Sequence, residues 1–180
     1  MIMATLDLSI FEKLSLANQW AGNCFGCSPT NPHGFHLHFW FEKEESWSKC
    51  EIPGNYCGFD GIAHGGIVAT LLDEIAAWAL GFYFESFGFT TTAQIKYLKP
   101  VPTANELILH GVISSKDKLK PKTTAYLYNP KGVLLAECES EWMIPTIEQL
   151  AYITKVEKGK LESLINPMLK SIHEFKAGSK

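Results

Sequence analysis

The sequence predicts one α+β domain in which an antiparallel sheet wraps around a single long central helix. Three observations carry that expectation. From Gly65 to about Phe84, the residues Val68, Leu71, Leu72, Ile75, Ala79 and Tyr83 recur at intervals of three and four, the spacing of a helix face. Apolar residues occupy most of the remaining circumference too, so this helix is expected to be buried on nearly all sides. Extended, alternating segments stand before and after it, two and then four, and 180 residues with 46% apolar and 19% charged content suit a single core.

Taken in order, Leu8, Phe11, Leu14, Leu16 and Trp20 fall at broadly helical spacing, which predicts an amphipathic lead-in helix within residues 1–23, stopped by Gly22 and Asn23. From Phe35 the pattern alternates, with Phe35, Leu37, Phe39 and Phe41 on one side and His36, His38 and Trp40 on the other, as in a strand. Trp47 to Ile52 reads as a second strand, and Pro53 to Gly61, rich in glycine, as a loop leading to His64. After Gly88 come four extended segments, near Thr90 to Leu98, Glu106 to Ser114, Thr123 to Asn129 and Val133 to Met143, the last three expected to form a meander. Residues 146–180 alternate charge with Ile147, Leu150, Ile153, Leu161, Leu164, Ile165 and Leu169, as one or two surface helices without a catalytic role would. The core is thus expected over about residues 24–145 of one domain spanning 1–180.

Composition narrows the classes of function. A net charge of -3 without a basic block argues against broad nucleic-acid binding, while leaving room for a small anionic ligand. No window reaches the roughly 18 uninterrupted apolar residues of a membrane span. Met1 to Glu12 lack the basic start and cleavage site of a secretory signal, so the cytoplasm is the expected compartment. Five cysteines, Cys24, Cys27, Cys50, Cys57 and Cys138, are an odd set at uneven spacing and are expected as free thiols.

The chemistry concentrates at His64-Gly65-Gly66, where loop becomes helix, and at Asp73 further along. First-turn N–H groups lack intrahelical partners and lie at the positive end of the helix dipole, so an oxyanion would be stabilised there. Glycine leaves that approach open, although glycines also serve ordinary tight turns. Asp73 is flanked one turn away by Ala69, Ala76 and Ala77, an apolar setting expected to raise its pKa. It would then act as a general base on water or as a carboxylate nucleophile, and the sequence does not separate the two. His64 has no nucleophile to pair with and reads as an orienting residue. Nine positions separate His64 from Asp73, about 13 Å along a helix, so one helix cannot bring both groups to one substrate. Two copies set antiparallel about a two-fold axis would oppose Gly65 of one to Asp73 of the other, which predicts an obligate dimer with composite sites.

From about Cys24 to Trp142 the chain resembles the PaaI-like and THEM-like acyl-CoA thioesterases, in His64-Gly65-Gly66, the spaced Asp73 and the later segment Thr90-Thr91-Thr92-Ala93-Gln94-Ile95-Lys96-Tyr97-Leu98-Lys99-Pro100. The resemblance implies a hotdog fold, a homodimer or dimer of dimers, an acyl-CoA substrate, and no metal or cofactor. It also implies that Asp73 activates water while the Gly65 amide holds the thioester oxygen, with His64 and Gly66 beside the substrate. The Ser or Thr that orients the water falls on Thr90, with Thr91 in reserve. The CoA phosphates are expected near the loop holding Lys116, Lys118, Lys120 and Lys122, with Lys118 and Lys120 as the binding candidates, although a lysine-rich loop is also ordinary solvated surface. One departure is Gly58, where some relatives carry an Asn six positions before the His.

Other readings stay open at this level. A hotdog dehydratase or hydratase and a non-catalytic acyl-CoA-binding protein are the rivals to hydrolysis. Cys24-x-x-Cys27 could form half of a zinc site with His33 or His36, or a redox pair, but no second such pair completes four ligands, so ordinary thiols are expected. Glu74 reads as a residue supporting Asp73 or lying at a subunit contact. Trp78, Phe82 and Tyr83 are candidates for the acyl pocket, and nothing in the sequence chooses the acyl group.

Overall fold

The computed structural model describes residues 6–13, 15, 16 and 22–178. Leu8–Glu12 form a short 3-10 helix capped by Asp7, whose carboxylate accepts from the Ser9 N–H at 3.0 Å. The expected lead-in helix does not continue through Leu16, which is extended and donates its N–H to the Phe39 carbonyl at 2.9 Å. Leu14 and Trp20 lie outside the described residues.

Strand β1 (Trp40–Glu42) is shorter than the alternation suggests. His36 is left-handed at φ 50°, and Phe35 and Leu37 donate their N–H groups to Phe25 and Gly26 in the preceding turn instead of to a neighbouring strand. The alternation still marks what faces inward, since Leu37, Phe39 and Phe41 are all buried. β1 turns into β2 (Glu45–Glu51) through Lys43 and Glu44, both at positive φ. Such two-residue turns usually carry Asn-Gly, which is why this hairpin left no turn signal in the sequence. Inside the expected loop, β3 (Cys57–Phe59) and β4 (Ile62–Ala63) pair as a small separate hairpin. It delivers the chain to helix α1 (Gly65–Phe84).

Four strands follow, β5 (Phe89–Tyr97), β6 (Glu106–Ser115), β7 (Lys122–Tyr128) and β8 (Leu134–Met143), and then helices α2 (Ile147–Thr154) and α3 (Lys158–Gly178). Among the described residues the main sheet has six strands in the order β1-β2-β6-β7-β8-β5, with every neighbouring pair antiparallel. β6, β7 and β8 form the expected meander, while β5 crosses to the far edge beside β8. This is the hotdog arrangement of an antiparallel sheet on a long central helix.

The sheet packs tightly on α1 at Gly111 of β6. A Cβ there would lie 2.5 Å from Ser46 Oγ and 2.6 Å from the Ile75 carbonyl oxygen, and Ser46 Oγ donates to that carbonyl at 2.9 Å. The opposite side of α1 is also covered. Phe39 stacks on Trp78 at 4.2 Å between ring centroids and Phe41 on Phe82 at 4.0 Å, while Phe175 of α3 packs edge-on against Phe41 and Phe82. Met168 and Ile172 of α3 are buried in the same core. Of the C-terminal extension, α3 is therefore part of the core and not a surface appendage, because a helix that is apolar all round needs a second cover opposite the sheet, whereas α2 buries no residue and lies on the surface as expected. By length and composition α1 could also cross a membrane, yet here it is the helix on which the sheet is wrapped.

Candidate functional site

At the start of α1 the chain builds a capped helix terminus open to solvent. His64 is the N-cap, and its Nδ1 accepts the Gly66 N–H at 3.0 Å, which places the ring proton on Nε2. The ring thus bonds local backbone. The same bond occupies the Gly66 N–H. The Gly65 N–H makes no hydrogen bond among the described residues and is the free first-turn donor. Tyr97 lies against this point, its hydroxyl donating to the Gly65 carbonyl at 3.1 Å. A Cβ at Gly65 would meet the Tyr97 ring at 3.6 Å, an ordinary contact. Gly58 stands beside the ring as well, its would-be Cβ 3.5 Å from His64 Cα, so a side chain at this position would reach the cap.

Asp73 lies two turns along α1 and is half-buried, more open than its alanine neighbours suggest. Thr90 at the start of β5 donates its hydroxyl to Asp73 Oδ1 at 2.6 Å. The two candidate threonines are separated by a β-bulge between Thr90 and Thr92 in the pairing of β5 with β8. Thr91 does not bond Asp73; its hydroxyl donates to the Glu141 carbonyl at 3.0 Å. Thr91 lines a shallow surface groove with Leu119, Lys120, Pro121 and Lys122. Within the lysine-rich loop, Lys116 pairs with Glu44 at 2.8 Å and Lys122 with Glu141 at 2.6 Å, whereas Lys118 and Lys120 form no salt bridge among the described residues.

The site divides as the spacing implied. Asp73, bonded by Thr90 from β5, and the free Gly65 N–H sit on one helix, about 12 Å apart along its axis. Around the Gly65 end the chain exposes Phe59 (79%), Tyr97 (54%) and Leu98 (47%), together with Ile62. β5 is the edge strand next to them. Two of the expected pocket residues, Trp78 and Phe82, have their faces filled by Phe39 and Phe41.

Glu74 faces away from this site. Its Oε1 accepts from Trp78 Nε1 at 3.0 Å, and Oε2 accepts from Cys24 Sγ at 3.3 Å. Burial, and then the neighbouring Cys24, push the Glu74 carboxyl up to about 8. Cys24 is pulled down to about 5, first by a hydrogen bond with the Cys27 side chain and then by the N–H groups of Cys27 and Gly26, while the same contact and burial drive Cys27 upward. Sequence reasoning gave Tyr97 no role and did not connect Glu74 with the cysteine pair. The contact of Tyr97 with Gly65 and that of Glu74 with Cys24 both join residues far apart in the chain, so no local pattern announces them.

A model of the thioesterase superfamily matches residues 60–135, from β4 into β8. No curated protein matches the chain in sequence. Among solved structures, the thioesterase superfamily protein RHA08564 is 22% identical, with a TM-score of 0.63 over 71% of this chain and 69% of that one. The smu.793 protein of Streptococcus mutans UA159, solved bound to acetyl CoA, is 21% identical, with a TM-score of 0.54 over 58% of this chain and 84% of that one. The E. coli PaaI protein of the phenylacetic acid degradation operon is 12% identical, with a TM-score of 0.57 over 62% of this chain and 81% of that one. At these identities the structures speak to fold alone, and the family match adds the segment that carries the free helix terminus, Asp73 and Thr90. Residues 60–135 of the chain are thus similar to the thioesterase superfamily, and its fold is the hotdog fold of those solved structures.

Proposed function

We propose that this protein is an acyl-CoA thioesterase that works as a homodimer or dimer of dimers, with each site shared between two copies. The observation that carries this reading is the hydrogen bond from Thr90 to Asp73 Oδ1, which fixes one carboxylate oxygen and leaves the other free to take a proton from water. The water oxygen bonds to the thioester carbon, and the oxyanion that forms rests on the Gly65 N–H of the second copy. As that adduct collapses, the C–S bond breaks and the proton held by Asp73 passes to the departing CoA sulfur. Thr90 is a positioning residue, and Tyr97 and His64 hold the Gly65 turn in shape.

The second copy is supported by an unpaired edge strand, β5, beside exposed Phe59, Ile62, Tyr97 and Leu98. Antiparallel pairing there would oppose Gly65 of one copy to Asp73 of the other. Lys118 and Lys120, which form no salt bridge among the described residues, are the candidates for the CoA phosphates, with Thr91 on the same groove as Lys120. A CoA ester as ligand is in keeping with the acetyl CoA bound by the Streptococcus mutans protein of the same fold.

The test is CoA release by purified protein from short, medium, long and aromatic acyl-CoAs, with wild type compared with Asp73→Ala checked for fold and oligomeric state. Hydrolysis lost in Asp73→Ala is the expected result and would reveal the substrate class. Binding of acyl-CoA without release of thiol by wild type would instead point to a binding protein, and hydration of an enoyl-CoA to a hydratase.

A further inference from the structure

Outside the candidate catalytic site, one cluster of chemically active side chains converges on a single point. Cys24 and Cys27 lie on the turn before β1, and Glu74 projects from the middle of α1. The two sulfurs and a Glu74 oxygen all lie within 4.8 Å of one another. Three features of local structure aim them together. The turn is closed by the Ser28 N–H, which donates to the Cys24 carbonyl at 3.2 Å and brings the two cysteines to one side. Gly26 lets the turn sit directly on Glu74, since a Cβ there would lie 2.6 Å from the carboxyl carbon. Trp78 Nε1 holds the other carboxyl oxygen at 3.0 Å and so turns Oε2 toward the sulfurs. The group opens on a cavity of about 150 Å³, whose far wall includes Met168 and Ile172 of α3.

We propose that Cys24, Cys27 and Glu74 are the ligands of one zinc ion. Two thiolates with a carboxylate suit this borderline-soft, tetrahedral cation, and a tetrahedral site with bonds of about 2.3 Å to sulfur and about 2.1 Å to oxygen requires a sulfur-to-oxygen edge of roughly 3.6 Å. The Cys24 Sγ to Glu74 Oε2 distance of 3.3 Å is close to that edge. The Trp78 hydrogen bond serves as the outer contact that orients a ligating carboxylate. The fourth position faces the cavity, which has room for water. Binding displaces the protons held by the thiols and by the Glu74 carboxyl to solvent and gives the acid and two sulfurs a shared counter-charge. The histidines that the sequence offered as partners are not part of the cluster: His36 bonds the Asn31 carbonyl and His33 is exposed. The third ligand comes from α1, fifty residues beyond Cys24, beside Asp73. The ion would therefore clamp the Cys24 turn onto the central helix next to the proposed base. This inference does not rest on the thioesterase reading.

The test uses the full chain, expressed with added zinc and purified under reducing conditions. Elemental analysis is expected to find one zinc per chain, and replacement by cobalt to give the absorption of a tetrahedral thiolate complex. Cys24→Ser and Cys27→Ser should each abolish tight binding, Glu74→Gln should weaken it at least tenfold, and Cys57→Ser should leave it unchanged. Melting temperature recorded with and without chelator checks that each variant folds, and chelation should lower it in wild type and Cys57→Ser but not in Cys24→Ser or Cys27→Ser. A reduced wild-type chain that takes up neither zinc nor cobalt would overturn the proposal, whether or not oxidant then joins Cys24 to Cys27 as a disulfide. So would a folded Glu74→Gln variant that binds zinc as tightly as wild type. Because wild type alone answers the first question, failure of a variant to fold leaves the proposal exposed to refutation.

Discussion

Gly65→Pro separates the proposed oxyanion donor from the fold that carries it. Gly65 is the first residue of α1, the helical position that proline tolerates best, because its N–H has no intrahelical partner there. His64 has φ -62° and ψ 136°, the extended conformation that a residue before proline adopts. The space beyond Gly65 is bounded by the Tyr97 ring at 3.6 Å from a Cβ, so the new ring meets ordinary contact. The His64 to Gly66 cap is left in place. The expected change in stability is therefore within about 1 kcal/mol, in either direction. What is lost is one N–H, and if that N–H holds the thioester oxygen in the transition state, the cost is about 3 kcal/mol, or roughly 100- to 1,000-fold in kcat. The assay is steady-state CoA release by a thiol reagent on the best acyl-CoA of the panel, with melting temperature measured on the same preparation. A kcat within about threefold of wild type, in a variant with unchanged melting temperature, would refute the assignment of Gly65, because tenfold already corresponds to only about 1.4 kcal/mol.

Thr90→Val removes a 2.6 Å hydrogen bond to a carboxylate with little change of shape, and about 1.5–3 kcal/mol predicts a fall in kcat of roughly 10- to 150-fold. The same change made in an Asp73→Asn background should add almost nothing, and an equal loss in both backgrounds would show that Thr90 acts independently of Asp73. Mixing Asp73→Asn with Gly65→Pro after subunit exchange should restore activity, because a mixed dimer holds one intact composite site; exchange without recovery would place both groups within one chain. Gly111→Ala forces a methyl against the Ile75 carbonyl and Ser46, at about 3 kcal/mol, which should lower the melting temperature by about 6–12 °C in a domain of this size. Burial holds His110 below its ordinary value despite Glu45, so the unfolded chain binds the extra proton. Stability from this group is complete above about pH 6.5 and declines as pH falls below it. Urea unfolding between pH 5 and 7.5 should show that decline in wild type and a shallower one in His110→Gln.

Period and punctuation made much of this molecule readable in advance. The run from Gly65 to Phe84 is helix over its whole length, and the four later strands lie within a residue or so of where alternation put them. The errors have local causes. The stretch from Phe35 to Phe39 keeps the inward side chains that alternation requires, but His36 turns left-handed and the backbone bonds the Phe25 turn, so side-chain pattern and ladder part company. The C-terminal helices were legible as helices, whereas the burial of Met168 and Ile172 was not. A helix pattern says which face is apolar and not what stands opposite it.

The candidate site divides along the same line. By itself, the amino-acid order determined the central helix, its glycine-opened N-terminus at His64-Gly65-Gly66, and an acid two turns further on, because these features lie within one element and obey its geometry. Only the tertiary structure showed that Thr90 bonds Asp73 while the hydroxyl of Thr91, its neighbour on the strand, bonds the Glu141 carbonyl. It alone laid Tyr97 on Gly65 and brought Glu74 against Cys24 and Cys27. Contacts between residues thirty or fifty positions apart depend on how elements pack, and no spacing along the chain encodes that packing.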